Sequence, residues 1–136
     1  MRILHYALGF PPYRTGGLTK YCMDLMLQQK NKGHEVAMMW PGAFSLTGHF
    51  VRLKKDKKTV ENAQIDSFEV INPLPVPLDE GIILTEKFTK KCPNPKVYKE
   101  FLEEYKPDAI HIHTLMGLHK EFVKAAKKLE IPVVFT

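Results

Sequence analysis

Two groups of residues in this chain could do chemistry. The first is a pair of histidines in the run Ala109-Ile110-His111-Ile112-His113. Standing two apart in an extended segment, they project to the same face. They could pair on a metal ion, but their spacing supplies no third ligand, and catalytic zinc sites use three protein ligands. No metal is therefore expected. On this reading His111 is packed and hydrogen-bonded, while His113, at the strand end, reaches a ligand crevice. The second group is the loop Gly9-Phe10-Pro11-Pro12-Tyr13-Arg14-Thr15-Gly16-Gly17. Its glycines do not follow the G-x-G-x-x-G spacing, and no phosphate loop of the G-x-x-x-x-G-K-[ST] type is present. The loop is either a tight strand-to-helix turn or an anion seat, because backbone N–H groups at a helix start can receive an anion. Arg14 could hold an anionic group or cover the loop. Tyr13 could stack on a ring or pack against the loop. Nothing in the sequence assembles a nucleophile with its base.

The elements that position these groups alternate. Arg2 to Leu8 is an apolar run of strand length, bounded by Gly9 and the Pro11-Pro12 pair. Leu18, Tyr21, Cys22, Leu25 and Met26 then recur at helical spacing, and Gly33 stands where a glycine ends a helix. His34 to Trp40 reads as a second strand. His49 to Leu53 could be a short one, and Lys54-Lys55-Asp56-Lys57-Lys58 reads as a solvated turn. Ile65 to Asn72 returns as the third strand. The prolines of Pro73-Leu74-Pro75-Val76-Pro77 keep that piece extended. Asp79 to Asn94 fits either an amphipathic helix at a membrane surface or a connecting loop. A helical stripe at Val97, Phe101, Leu102 and Tyr105 precedes the histidine strand. Leu118, Phe122, Ala125, Ala126 and Leu129 line another helix, and Ile131 to Phe135 is a last strand.

Composition sets bounds on function. The chain has 136 residues and a net charge of +5, enough for one domain with a real core. The charge suits an anionic partner without requiring one. The lysine cluster lacks interleaved aromatics and any nucleic-acid module, so no nucleic acid is expected. Cys22 and Cys92 are too few for a disulfide framework, which favours a reducing compartment. No stretch approaches the length of a membrane span.

Strands alternating with helices argue for an α/β domain, Rossmann-like and doubly wound, with a mostly parallel sheet and helices on both faces. The expected strand order is 3-2-1-4-5. Ligands of such sheets bind outside the carboxyl ends of the strands, where the order reverses. The loops Gly9 to Gly17 and His113 to Gly117 should then line one crevice.

Met1 to His5, Gly9 to Tyr13, Gly16 to Tyr21 and Gly33 to Val36 resemble the start of a family 4 glycosyltransferase, and Pro107 to His113 resembles that family's fourth-strand motif. The resemblance implies the GT-B architecture, two Rossmann-like domains facing across a cleft. It implies retaining transfer of a sugar from a nucleotide-sugar donor to a glycan or lipid-linked acceptor, without a bound metal. Gly16 and Gly17 would approach the donor diphosphate. His113 would lie near the transferred sugar, with Tyr13, Arg14 and Thr114 on the acceptor side. Residues 1–136 would be one partial N-terminal domain, lacking the C-terminal donor-binding domain. The expected location is cytoplasmic, with peripheral contact at the inner membrane face. An unpaired sheet edge near Val133 to Phe135 would invite self-association. The alternatives are a non-catalytic binding subunit completed by a partner chain, or a flavodoxin-like binding domain.

Overall fold

The computed structural model describes residues 1–74 and 91–136. Most of the 79–94 stretch and the run Pro75 to Pro77 lie outside the described residues. Apolar side chains on both faces of the first strand bury it, and β1 (Arg2–Tyr6) becomes the middle of the sheet. It leads through the glycine loop to α1 (Gly17–Asn31), and α1 returns to β2 (Glu35–Pro41). Gly33, with a φ of +90°, turns the chain out of α1 as its position predicts. A hairpin follows, β3 (Arg52–Val60) and β4 (Ala63–Ile71). Beyond the undescribed segment come α2 (Lys96–Tyr105), β5 (Ala109–Ile112), α3 (Lys120–Lys128) and β6 (Val133–Phe135).

The six strands form one sheet in the order β3-β4-β2-β1-β5-β6. All neighbours run parallel except β3, which is antiparallel to β4. The expected order 3-2-1-4-5 is therefore present as β4-β2-β1-β5-β6, with one added edge strand. Alternation along the strands sorts the side chains into two layers. Leu4, Tyr6, Ile110 and Ile112 meet Tyr98 and Leu102 of α2 and Phe122 and Ala126 of α3 on one face. Val36, Met38 and Ile65 meet Cys22, Met23 and Met26 of α1 on the other. The domain is α/β, with helices on both faces of a mostly parallel sheet.

Three local readings change. Lys54 to Lys58 is not a turn but the middle of β3. The turn lies further on, where Glu61 and Asn62 both take positive φ, +46° and +72°. Two such residues in succession make the type of hairpin turn whose twist matches that of its strands. Strand 1 stops at Tyr6, two residues short of the apolar run's end. The buried stripe of α1 is Thr19, Cys22, Met23 and Met26, so the helix is rotated from the expected face. Leu18 and Tyr21 are left 39% and 50% exposed near the start of the helix.

Candidate functional site

Parallel pairing of β1 with β5 places His5 beside His111. His113 follows one residue past β5, its N–H donating to the carbonyl of Tyr6 at 2.9 Å. All three imidazoles come together on the face covered by α1, where Gln29 and Tyr21 reach them. His5 Nε2 lies 2.7 Å from Gln29 Oε1, and His5 Nδ1 lies 2.9 Å from His113 Nε2. The Tyr21 ring stands edge-on to His113 at 5.9 Å. His111 Nε2 is 3.0 Å from the Thr136 hydroxyl.

The roles expected for His111 and His113 are exchanged in part. His113 does not project into an open crevice; it is only 5% exposed, and its Nδ1 is buried without a hydrogen-bond partner among the described residues. His111 is hydrogen-bonded as expected but half-buried. The reason is geometric: at the end of β5 the side chain on this face turns in beneath α1. Burial holds these rings neutral. It is the first cause that lowers His5 to a pKa of about 4, against the raising effect of the Gln29 hydrogen bond. It also lowers His113 to about 4, with added repulsion from His111 and His5. His111 is lowered as well, again by burial.

The third ligand that spacing alone did not supply is thus present as His5. Among the described residues His5, His111 and His113 offer ligand atoms within 4.8 Å of one another. Their ring planes do not suit a shared ion. His111 and His113 stack at 4.0 Å with 24° between planes, and His5 and His113 at 5.2 Å with 18°. A ligand lone pair lies in its ring plane, so near-parallel stacked rings must rotate before they aim at one ion.

The glycine loop leaves the same sheet edge as the loop after β5. Gly9, at φ +148°, lies under Arg14: a Cβ there would come within 2.8 Å of Arg14 Cγ. The stem of Arg14 therefore covers the loop, the plainer of its two readings. Tyr13 is 88% exposed and does not pack against the loop. Gly16 caps α1 with φ +103° and ψ 179°, a conformation almost confined to glycine. A Cβ on Gly16 or Gly17 would meet nothing within 4 Å, so both leave open space at the helix start. The Thr114 hydroxyl accepts the N–H of Met116 at 3.2 Å, and the Tyr6 hydroxyl donates to the Met116 carbonyl at 2.7 Å. The first bond closes the loop on itself, and the second ties it to the end of β1.

The two loops leave the sheet at the same end, as the parallel pairing of β1 with β5 requires. A cleft of about 500 Å³ is lined by Gly9, Tyr13, Arg14, Trp40 and Glu69 among others. A second, of about 410 Å³, runs from Thr15 and Gly16 to Thr59 and Glu61 of the hairpin. Neither is lined by residues 113–117. The two loops are neighbours at one edge, and Tyr21 bridges from α1 to His113.

Comparison with known proteins decides the family. The family model described as Glycosyltransferase Family 4 matches residues 15–136, nearly the whole chain. The chain belongs to Glycosyltransferase Family 4. Two solved structures share its fold: MurG from Acinetobacter baumannii, with a TM-score of 0.56 and 18% identity, and the catalytic domain of starch synthase IV from Arabidopsis thaliana, bound to ADP and acarbose, with 0.50 and 18%. At that identity the likeness shows the fold alone. They match over 98% of this chain, which spans only 34% and 33% of their lengths. No curated protein matches the chain.

Within this family 4 domain, sequence reasoning missed three residues of the histidine cluster. His5 carried a signal: an order with strand 1 beside strand 4 puts it near His111. Gln29 carried none beyond its place on α1. Tyr21 was assigned to the buried stripe, and its exposure follows from the rotation of the helix. Among the described residues no helix is long and apolar enough to cross a membrane.

Proposed function

We propose that this chain is the N-terminal, acceptor-side part of a retaining glycosyltransferase that moves a sugar from a nucleotide-sugar donor to a glycan or lipid-linked acceptor. One observation carries the reading: the unpartnered, buried Nδ1 of His113 lies beneath the first turns of a helix that opens on two glycines. Buried polar atoms are nearly always paired, so an orphan at the carboxyl ends of the central strands, where sheets of this kind receive ligands, points to a partner that would arrive with the substrate. A hydroxyl of the sugar or acceptor has the right chemistry. The N–H groups freed at Gly16 to Thr19 would face the donor diphosphate, where the helix dipole favours negative charge. Charge developing on that leaving group would be met by fixed dipoles, with no resident metal in the reading. The donor nucleotide would be held by a second domain outside this chain, and the location would be cytoplasmic, at the inner membrane face.

The test uses the full protein that carries this chain. His113→Ala should lower turnover by about 10²-fold, the scale of losing one positioned contact to the reacting group. His111→Ala, in a protein that stays folded, should lower it less. If His111→Ala alone abolishes nucleotide release from the donor, the wrong histidine has been chosen.

A further inference from the structure

We propose that Gln29 and His5 are positioning residues that fix His113 as its Nε2–H tautomer, so that its Nδ1 lone pair is offered as an acceptor to a substrate hydroxyl. The inference rests on the glycosyltransferase reading only in its last step, the hydroxyl.

With the Gln29 amide oxygen turned toward His5, as the structure places it, the chain of donors and acceptors has one direction, and a flipped amide would reverse it. Gln29 Oε1 can only accept, so the atom 2.7 Å away, His5 Nε2, must carry a proton. A neutral imidazole has one N–H, so His5 Nδ1 is then a lone pair. That lone pair, 2.9 Å from His113 Nε2, must receive a proton from it. His113 therefore carries its one proton on Nε2, and its buried Nδ1 is an acceptor with nothing yet to accept. Burial keeps both rings neutral near pH 7, which the argument requires. The relay is built in the folded scaffold: Gln29 stands on α1, His5 on β1 and His113 at the end of β5. It is the second nitrogen of a histidine that sets which nitrogen does chemistry. An acceptor at Nδ1 selects a ligand group that can donate, such as a hydroxyl, over one that only accepts.

A purely structural role for the three side chains would leave the tautomer irrelevant to turnover, and this separates the two. Gln29 is only half-buried, so it can be replaced by an acceptor-only and a donor-only side chain. The full protein is labelled with ¹⁵N at histidine, and long-range proton–nitrogen spectra report which ring nitrogen of His5 and His113 is protonated. The native protein should show His113 protonated at Nε2. Gln29→Glu keeps an acceptor at His5 Nε2, so at a pH where His5 stays neutral the His113 proton should remain on Nε2. Gln29→Lys supplies a donor to His5 Nε2, so the whole relay should reverse and move the His113 proton to Nδ1. kcat/KM should then fall by tenfold or more, because only the competent fraction of the protein can bind productively. A native His113 protonated at Nδ1, or one pattern shared by Gln29→Glu and Gln29→Lys, would overturn the relay. A reversed pattern with unchanged kcat/KM would overturn the acceptor role instead. The spectra do not depend on turnover, so failure of the relay and failure of the glycosyltransferase reading are told apart.

Discussion

His5 and His113 make the fold sensitive to acid as well as ordering a ring. Both are held near a pKa of 4, against 6.5 for an ordinary histidine, chiefly because burial penalises the charged form. In the unfolded chain each would protonate near 6.5. Between pH 6.5 and 4 the unfolded state therefore binds more protons, and stability falls as pH drops through that window. Above 6.5 the contribution is fully present. For His5 the loss is on the order of 3 kcal/mol by pH 4, a large share of a domain's net stability. Urea midpoints measured from pH 7.5 to 4.5 should fall, and His5→Asn should flatten the slope by about one proton. The same slope in both proteins would mean that His5 is not held neutral. His5→Asn should also lower stability at pH 7.5 by about 1–3 kcal/mol, since Gln29 and His113 each lose a partner.

At the scale of elements, the start of α1 and the two sheet edges carry separate predictions. Gly16→Val is a poor probe of the anion seat, because its φ of +103° strains any L side chain by about 1–3 kcal/mol. Gly17 has no such φ and opens onto free space. Gly17→Ala should leave the melting temperature unchanged or slightly raised, while raising the donor KM in the full protein by tenfold or more. An unchanged KM would remove the glycine loop from the diphosphate site. The edges differ in how they are protected. β3 carries Lys54, Lys55, Lys57 and Lys58, and lysines on an edge strand discourage pairing with another chain. β6, at the other end, leaves Val134 and Phe135 51% and 55% exposed. The isolated chain should associate with rising concentration, and Val134→Lys should restore the monomer in light scattering; equal association in both would acquit this edge.

The lysines also show how far the sequence was legible. Apolar runs gave β1, β2, β4, β5 and β6 because burial wrote them twice, in composition and in length. Only the start of β3 was legible, as the end of the short strand read over His49 to Leu53; the rest was hidden because its pattern answers to solvent and to edge protection, not to a core. Its turn was hidden because Glu61-Asn62 lacks the glycine that usually announces such a hairpin. Two-residue spacing in one extended segment made His111 and His113 legible as a pair. The relay was not, since it depends on the registers of β1 and β5 and on the rotation of α1, which place Gln29 and Tyr21.

For the whole molecule, sugar transfer requires that the anomeric carbon of a donor be held against an acceptor, a matter of positioning and electrostatic stabilisation. The described residues supply a helix start, open clefts of about 410 and 500 Å³ beside it, and a buried histidine that neither cleft includes. Both clefts open to solvent, so a nucleotide sugar resting there would keep much of its surface in water. Tight small-molecule sites instead bury most of the ligand. The solved structures that share this fold are each about three times as long as the chain. On the reading proposed above, the missing wall of the site is the second domain, which would cover the nucleotide and close over His113. The chain alone should therefore bind donors only weakly and release no nucleotide from them. A panel of nucleotide sugars, titrated into the purified chain by calorimetry and assayed for nucleotide release, gives the test. Micromolar binding, or turnover by these 136 residues without a second domain, would show that the site is complete within them.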